Sequence, residues 1–277
     1  MYAHQVIEDL KTVKNDFIRT FLDNFNKVQH YHMGECNDIY DVTKNTQYED
    51  IKKYIKLPYD ECWFDGTENI VAVMDNMRVD ISKIGYYVSS PKEFKPDELL
   101  IIPFVYVKNF KWIHLRFAMR VSINLYQYWL FDVSDGVAKP YNVDIPEDIQ
   151  KYYFGFFKTI ARFLVILNCK NIFPMKIKAP DKLNKKRIRN NKLPIFDYHV
   201  LTINPFGKSK KDYKPNTIPL SHNRVHLCCG HFKEYTKEHP LLGRHAGLFW
   251  WQPHVRGQNK EGMVHKDYSI KSDVMNA

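Results

Sequence analysis

Between Gln5 and Gln29 apolar residues recur every three or four positions: Val6, Leu10, Val13, Phe17, Phe21 and Phe25. That period predicts one long amphipathic helix whose apolar stripe docks on a partner surface. From about Cys62 to Val137 the period shortens. The runs IVAVMDNMRVDI, IGYYV, LLIIPFVYV, WIHLRFAMRVSI and YQYWLFDV are rich in β-branched and aromatic residues and are separated by Gly, Pro, Asn and Asp. Short connections make an antiparallel meander the expected arrangement. Asp65-Gly66, Lys108-Asn109 and Asp135-Gly136 read as its turns.

The helical period returns between Pro146 and Asn168, where Ile149, Tyr153, Phe156, Ile160, Phe163 and Leu167 fall on one side. Pro146 suits the first helical position, and Glu147 and Asp148 suit the positive end of the dipole. Past this helix the composition changes. Lys176 to Lys192, KIKAPDKLNKKRIRNNK, carries eight basic residues against the single acid Asp181. It shows no hydrophobic period and reads as a basic loop or linker. Beyond it FDYHVLTI, RVHLCCGHF, GLFWWQPHV and MVHKDYSI are β-favouring runs that would pair into a small antiparallel sheet. The expected fold class is therefore α+β. A helix and antiparallel sheet fill residues 1–170, a basic segment spans 171–192, and a His/Arg-rich β domain spans 193–277.

Composition narrows the function classes. The chain has 277 residues, 44% hydrophobic and 15% aromatic, which suits a packed globule. Its formal net charge of +10 favours a polyanionic or acidic partner. The five cysteines, Cys36, Cys62, Cys169, Cys228 and Cys229, have no C-x-x-C spacing and read as reduced thiols. No apolar leader and no run long enough to span a bilayer is present, so the reading is a cytoplasmic protein with no membrane partner. The sequence lacks G-x-x-x-x-G-K-[ST], G-x-G-x-x-G, H-E-x-x-H and G-x-S-x-G. P-loop hydrolysis, Rossmann redox chemistry, zincin proteolysis and elbow-type ester hydrolysis have no support, and no cofactor is implied.

Eight of the twelve histidines lie between Tyr198 and Tyr268, together with Arg224, Arg244, Arg256 and Lys266. Histidine titrates nearest neutrality and arginine binds phosphate, so this density proposes a phosphate-directed site. The basic run extends it: Lys182, Lys185, Lys186, Arg187, Arg189 and Lys192, with Arg224 and Arg256, are the expected nucleic-acid contacts. Phe173, Phe196, Tyr198 and Phe206 are rings that could stack bases. With no helix-turn-helix pattern in the basic part, RNA or single strands fit better than a specific duplex site.

Strand alternation places Arg224, His226 and Cys228 on one face and His231 on the other, unless a bulge at Gly230 re-aims His231. Pro253 suggests that its strand is an edge or ends there. If the faces converge, His226, His231 and His254 become acid and base, with Arg224, Arg256 and Lys266 as charge stabilisers. The chemistry would then be metal-independent cleavage of a ribose-containing phosphodiester. A zinc site from His222, His226, Cys228 or Cys229 and His231 lacks finger-like spacing, so no metal is assigned. Adjacent cysteines point to opposite faces, which weakens a thiol nucleophile at Cys228 or Cys229.

LNKKRIRNNKLPIFDYHVL at Leu183–Leu201, RVHLCCGHFKEY at Arg224–Tyr235, GLFWWQPHVRG at Gly247–Gly257 and GMVHKDY at Gly262–Tyr268 follow in that order. This succession resembles a segment of uncharacterised tailed-bacteriophage proteins: a basic stretch, R-x-H-x-x-x-G-H, an aromatic strand and G-x-V-x-K-x-Y. The resemblance implies a phage origin and the host cytoplasm as the place of action, and transfers no catalytic residue. The reading from sequence is thus a phage-encoded nucleic-acid-binding protein in which the histidine cluster would support ribonuclease chemistry. The alternative is a non-catalytic protein that inhibits or redirects a host enzyme or defence component.

Overall fold

The structure is a computed structural model that describes residues 2–25, 27–36, 39, 46–74, 77–135, 137–140, 147–203, 226–228, 230–251 and 254–256. It is mostly β, with 41% strand against 26% helix. The helices are α1 (Ala3–Leu10), α2 (Asp16–Asn24), α3 (Tyr48–Ile51), α4 (Glu147–Leu167) and α5 (Asp181–Arg189). The strands are β1 (Gln29–Glu35), β2 (Glu61–Met74), β3 (Met77–Ser89), β4 (Glu98–Val107), β5 (Trp112–His114), β6 (Phe117–Ser122) and β7 (Gln127–Asp132). They continue as β8 (Lys139–Pro140), β9 (Ile172–Ile177), β10 (Tyr198–Ile203), β11 (His226–Cys228), β12 (His231–Tyr235), β13 (Gly247–Trp251) and β14 (His254–Arg256).

One ten-stranded sheet organises the molecule, in the order β8-β7-β6-β4-β3-β2-β1-β10-β9, with β5 bonded to β4. Among the described residues the expected small C-terminal sheet does not form. Strands β9 and β10 instead extend the main sheet beside β1, and β11–β14 and β12–β13 form two two-stranded ribbons. The sheet is mixed: β1 runs parallel to both β2 and β10, and the other described pairs are antiparallel. The antiparallel run from β2 to β8 is therefore one flank of a larger sheet. Asp65-Gly66, expected as a turn, lies inside β2.

Alternation along the strands makes two cores. Cys62, Phe64, Ile84, Tyr86, Val88, Ile101 and Met119 face one side, where Phe156, Phe157, Ile160 and Leu164 of α4 cover them. Trp63, Ile102, Phe104, Trp112 and Ala118 face the other, under Val6 and Leu10 of α1 and Ile18 and Phe21 of α2. A sheet buried on both faces needs apolar residues at successive positions, which is what runs such as Cys62–Phe64 supply.

The single N-terminal helix is in fact two. Asn15 ends the pattern by capping α2: its side-chain oxygen accepts from the Ile18 N–H at 3.0 Å. Its amide donates to the Val133 and Ser134 carbonyls at 2.8 and 3.0 Å, tying the break to the end of β7. Val13, which the helical period placed in the stripe, is consequently 36% exposed. Local propensity ran through this point; tertiary hydrogen bonds did not.

The basic segment also differs from its expectation as a loop. It holds the edge strand β9 and the helix α5. Asp181 sits in the first turn and Lys186, Arg187 and Arg189 in the last, the order that the helix dipole favours. Asn191, at φ 52°, closes the helix, with its N–H on the Ile188 carbonyl and the Lys192 N–H on the Arg187 carbonyl. This is a Schellman cap, and asparagine is among the few residues that accept its left-handed position. No described helix is long and apolar enough to cross a membrane.

Candidate functional site

Two features of the face that carries α1 could hold and act on a ligand. The first is a polar group inside the sheet. His30 and His32 alternate with Tyr31 on β1, so both histidines point to this face. Parallel pairing sets His32 directly beside Asp65 of β2. His32 Nδ1 lies 2.7 Å from Asp65 Oδ1, and Asp65 Oδ2 accepts from the Tyr2 backbone N–H at 2.7 Å and from Trp63 Nε1–H at 3.0 Å.

Asp65 is fully buried. Burial opposes its ionisation, yet the hydrogen bonds from His32 and from the Tyr2 backbone hold its carboxyl below the usual carboxylate range. A charged Asp65 fixes the imidazole with its proton on Nδ1, which leaves Nε2 as the acceptor. The His32 side chain is 24% exposed, and among the described residues Nε2 has no hydrogen-bond partner. Tyr2 and Tyr198 flank the ring at 5.9 and 6.2 Å, both edge to face. Lys83 Nζ stands 4.3 Å above the same Tyr2 ring, and burial lowers its pKa.

The backbone next to the pair is irregular. Register slips between His32 and Glu35 of β1, with Gly34 at φ +74° in the slip. A Cβ on Gly66 would lie 2.7 Å from the Gly34 carbonyl, so the bulge depends on glycine on both strands. His30 is nearby but different in kind. It is buried and stacks on Phe196 at 5.1 Å, and among the described residues neither ring nitrogen meets a partner at hydrogen-bond geometry. Burial pushes it down to about 4, so it is a neutral core residue.

The second feature is the outer face of α5. Lys182, Lys185, Lys186 and Arg189 fall at three- and four-residue spacing and are exposed. Among the described residues none of the four is paired with a carboxylate. Arg187 is turned inward. It donates to Glu8 Oε1 at 2.8 Å and to the Leu193 carbonyl at 2.6 Å, so it anchors the helix and does not present its charge. Asn184 completes the anchor through reciprocal bonds with the Ile195 backbone at 3.0 and 2.8 Å. Beside the helix, β9 leaves Phe173 50% and Met175 44% exposed. Of the other expected stacking rings, Phe196 packs on Phe25 and His30, Tyr198 lies against His32, and Phe206 is outside the described residues.

The histidine-dense C-terminal segment assembles only in part. His226 is the register partner of Arg256, and Cys228 that of His254, on the β11–β14 ribbon. His231 pairs with Trp251 on the other ribbon. Three positions separate Cys228 from His231, and three separate Trp251 from His254. His231 lines a cleft of about 530 Å³ with Glu49, Asp50, Lys53, Phe232 and Glu234. Arg224, Lys266, His222 and Cys229 lie outside the described residues. No group of three or more metal-binding side chains occurs among the described residues. A second cleft, about 660 Å³, has Asp16, Asp60, Glu61, Glu93 and Lys92 at its rim, an acidic balance unsuited to a polyanion.

The His32–Asp65 pair escaped the sequence reading. The signal available was His30-Tyr31-His32 at strand spacing, whereas Asp65 stands 33 positions away and meets it only through parallel pairing. No protein-family model matches the chain, and no curated protein matches it in sequence.

Proposed function

We propose that the protein binds single-stranded nucleic acid, RNA in particular, along the outer face of α5. The observation that carries this reading is the stripe Lys182, Lys185, Lys186 and Arg189, held outward because Asn184 and Arg187 pin the opposite side. Positions at this spacing lie side by side on the helix surface, and each cation that neutralises a phosphate releases a counterion and gains affinity. Exposed Phe173 on β9 supplies a ring on which a base can stack. Lys178 and Lys192 add exposed charge at either end of the helix. The phage resemblance of the C-terminal segment would place this binding in an infected host cell.

The reading is tested by retention of labelled single-stranded RNA, duplex RNA and single-stranded DNA on the full chain. The four-residue neutral variant Lys182→Gln, Lys185→Gln, Lys186→Gln, Arg189→Gln is expected to lose at least tenfold in affinity. Equal retention by the two proteins overturns it. The alternative of an acidic host protein as partner uses the same stripe, and it would show as capture of that protein with no RNA bound.

A further inference from the structure

We propose that His32 is the general base of an RNA-cleaving centre, positioned by Asp65. The inference rests on the nucleic-acid reading above and names the chemistry that follows binding.

A buried, ionised carboxylate on Nδ1 of a partly exposed histidine is the arrangement that leaves Nε2 ready to take a proton. Three donors converge on Asp65, so neither the carboxylate nor the ring it holds is free to turn. The pair lies two strands in from β9, the edge strand that precedes α5 in the chain. His32 is the register partner of Val200, and Val200 that of Met175 on the exposed edge strand. Strands lie about 4.8 Å apart, so two steps of about 10 Å in all separate the histidine from the edge. The chain leaves that edge at Ile177 and enters α5 at Asp181. We infer that a strand held on α5 and stacked on Phe173 of that edge extends across β10 to His32.

The step is an internal transesterification. His32 Nε2 takes the proton of a ribose 2′-hydroxyl, the 2′-oxygen forms a bond to the adjacent phosphorus, and the bond from phosphorus to the 5′-oxygen breaks. The 5′-oxygen is protonated from solvent, and the imidazolium returns its proton to solvent. The products are a 2′,3′-cyclic phosphate and a 5′-hydroxyl. Asp65 touches no substrate atom and acts by holding the tautomer and stabilising the imidazolium.

The test follows retention and cleavage of single-stranded RNA together, on the full chain in EDTA. The native protein is expected to bind and to release 2′,3′-cyclic phosphate ends. His32→Gln is expected to bind equally and to cleave at least about 100-fold more slowly, the lower range for loss of an acid–base group. Asp65→Asn should shift the pH profile of cleavage, which a purely structural carboxylate would leave in place. Binding without cleavage by the native protein, or undiminished cleavage by His32→Gln, overturns the inference and leaves the binding reading intact. No retention and no cleavage by the native protein overturns both. Should His32→Gln fail to fold, an RNA with 2′-O-methyl groups throughout decides: its cleavage overturns the mechanism, and its retention uncut supports it.

Discussion

His32 and Asp65, on adjacent parallel strands, hold a 2.7 Å contact between Nδ1 and Oδ1 in which the carboxylate is wholly buried and the imidazole is not. The same carboxylate also accepts from Tyr2 and Trp63, so it joins α1 to the sheet as well as orienting the ring.

Removing Asp65 therefore strands three donors at once. Asp65→Ala is expected to cost about 1–3 kcal/mol or more, the range for leaving buried donors unsatisfied. His32→Gln, which leaves two donors on the carboxylate, should cost less. Urea denaturation of the three proteins measures the order. A loss below about 1 kcal/mol for Asp65→Ala would contradict the network.

Gly85 on β3 lies under the Trp63 ring, and a Cβ there would collide with the ring atoms Cη2 and Cζ2. Trp63 is fully buried and closes against Phe25, Phe104 and Trp112. Gly85→Ala is expected to destabilise the fold by about 1–3 kcal/mol through overpacking. Trp63→Phe should restore part of that loss in the double variant, a coupling that a double-mutant cycle reads directly. Additive losses would mean that the two positions do not touch.

His30 makes the fold sensitive to mild acid. Burial lowers it from 6.5 to about 4, so between these values the unfolded chain binds the proton and the native state does not. Its contribution is complete above pH 6.5 and is lost as pH falls towards about 4, by about 3 kcal/mol at most. His30→Phe should flatten the difference in stability between pH 7.5 and pH 5. An unchanged slope would show that His30 is not the group responsible.

Sequence period located α4 to within a residue or two, because a long amphipathic helix on an apolar sheet meets no competing signal. It missed the division of α1 from α2, since the carbonyls that hold the Asn15 side-chain amide at the break, Val133 and Ser134, lie far along the chain. It read Lys176–Lys192 as a loop because α5 has no buried residue and so no apolar stripe to detect. Among the basic residues singled out there, Arg187 is held by Glu8, a long-range contact that no local pattern reveals. Histidine density drew attention to the C-terminal segment. The histidine held by a buried carboxylate lies in β1, where the pairing that creates the site is parallel and non-local.

The most direct measurement is the salt dependence of single-stranded RNA binding by the native chain and by the neutral α5 variant. For a single strand the slope of log K against log salt is about −0.7 per phosphate neutralised. Loss of four contacting cations should make the slope shallower by about 3. Arg187→Ala, tested alongside, should lower stability more than it changes that slope. Parallel salt plots for the native chain and the α5 variant would contradict the account, because the outward charges of α5 would then bind no phosphate.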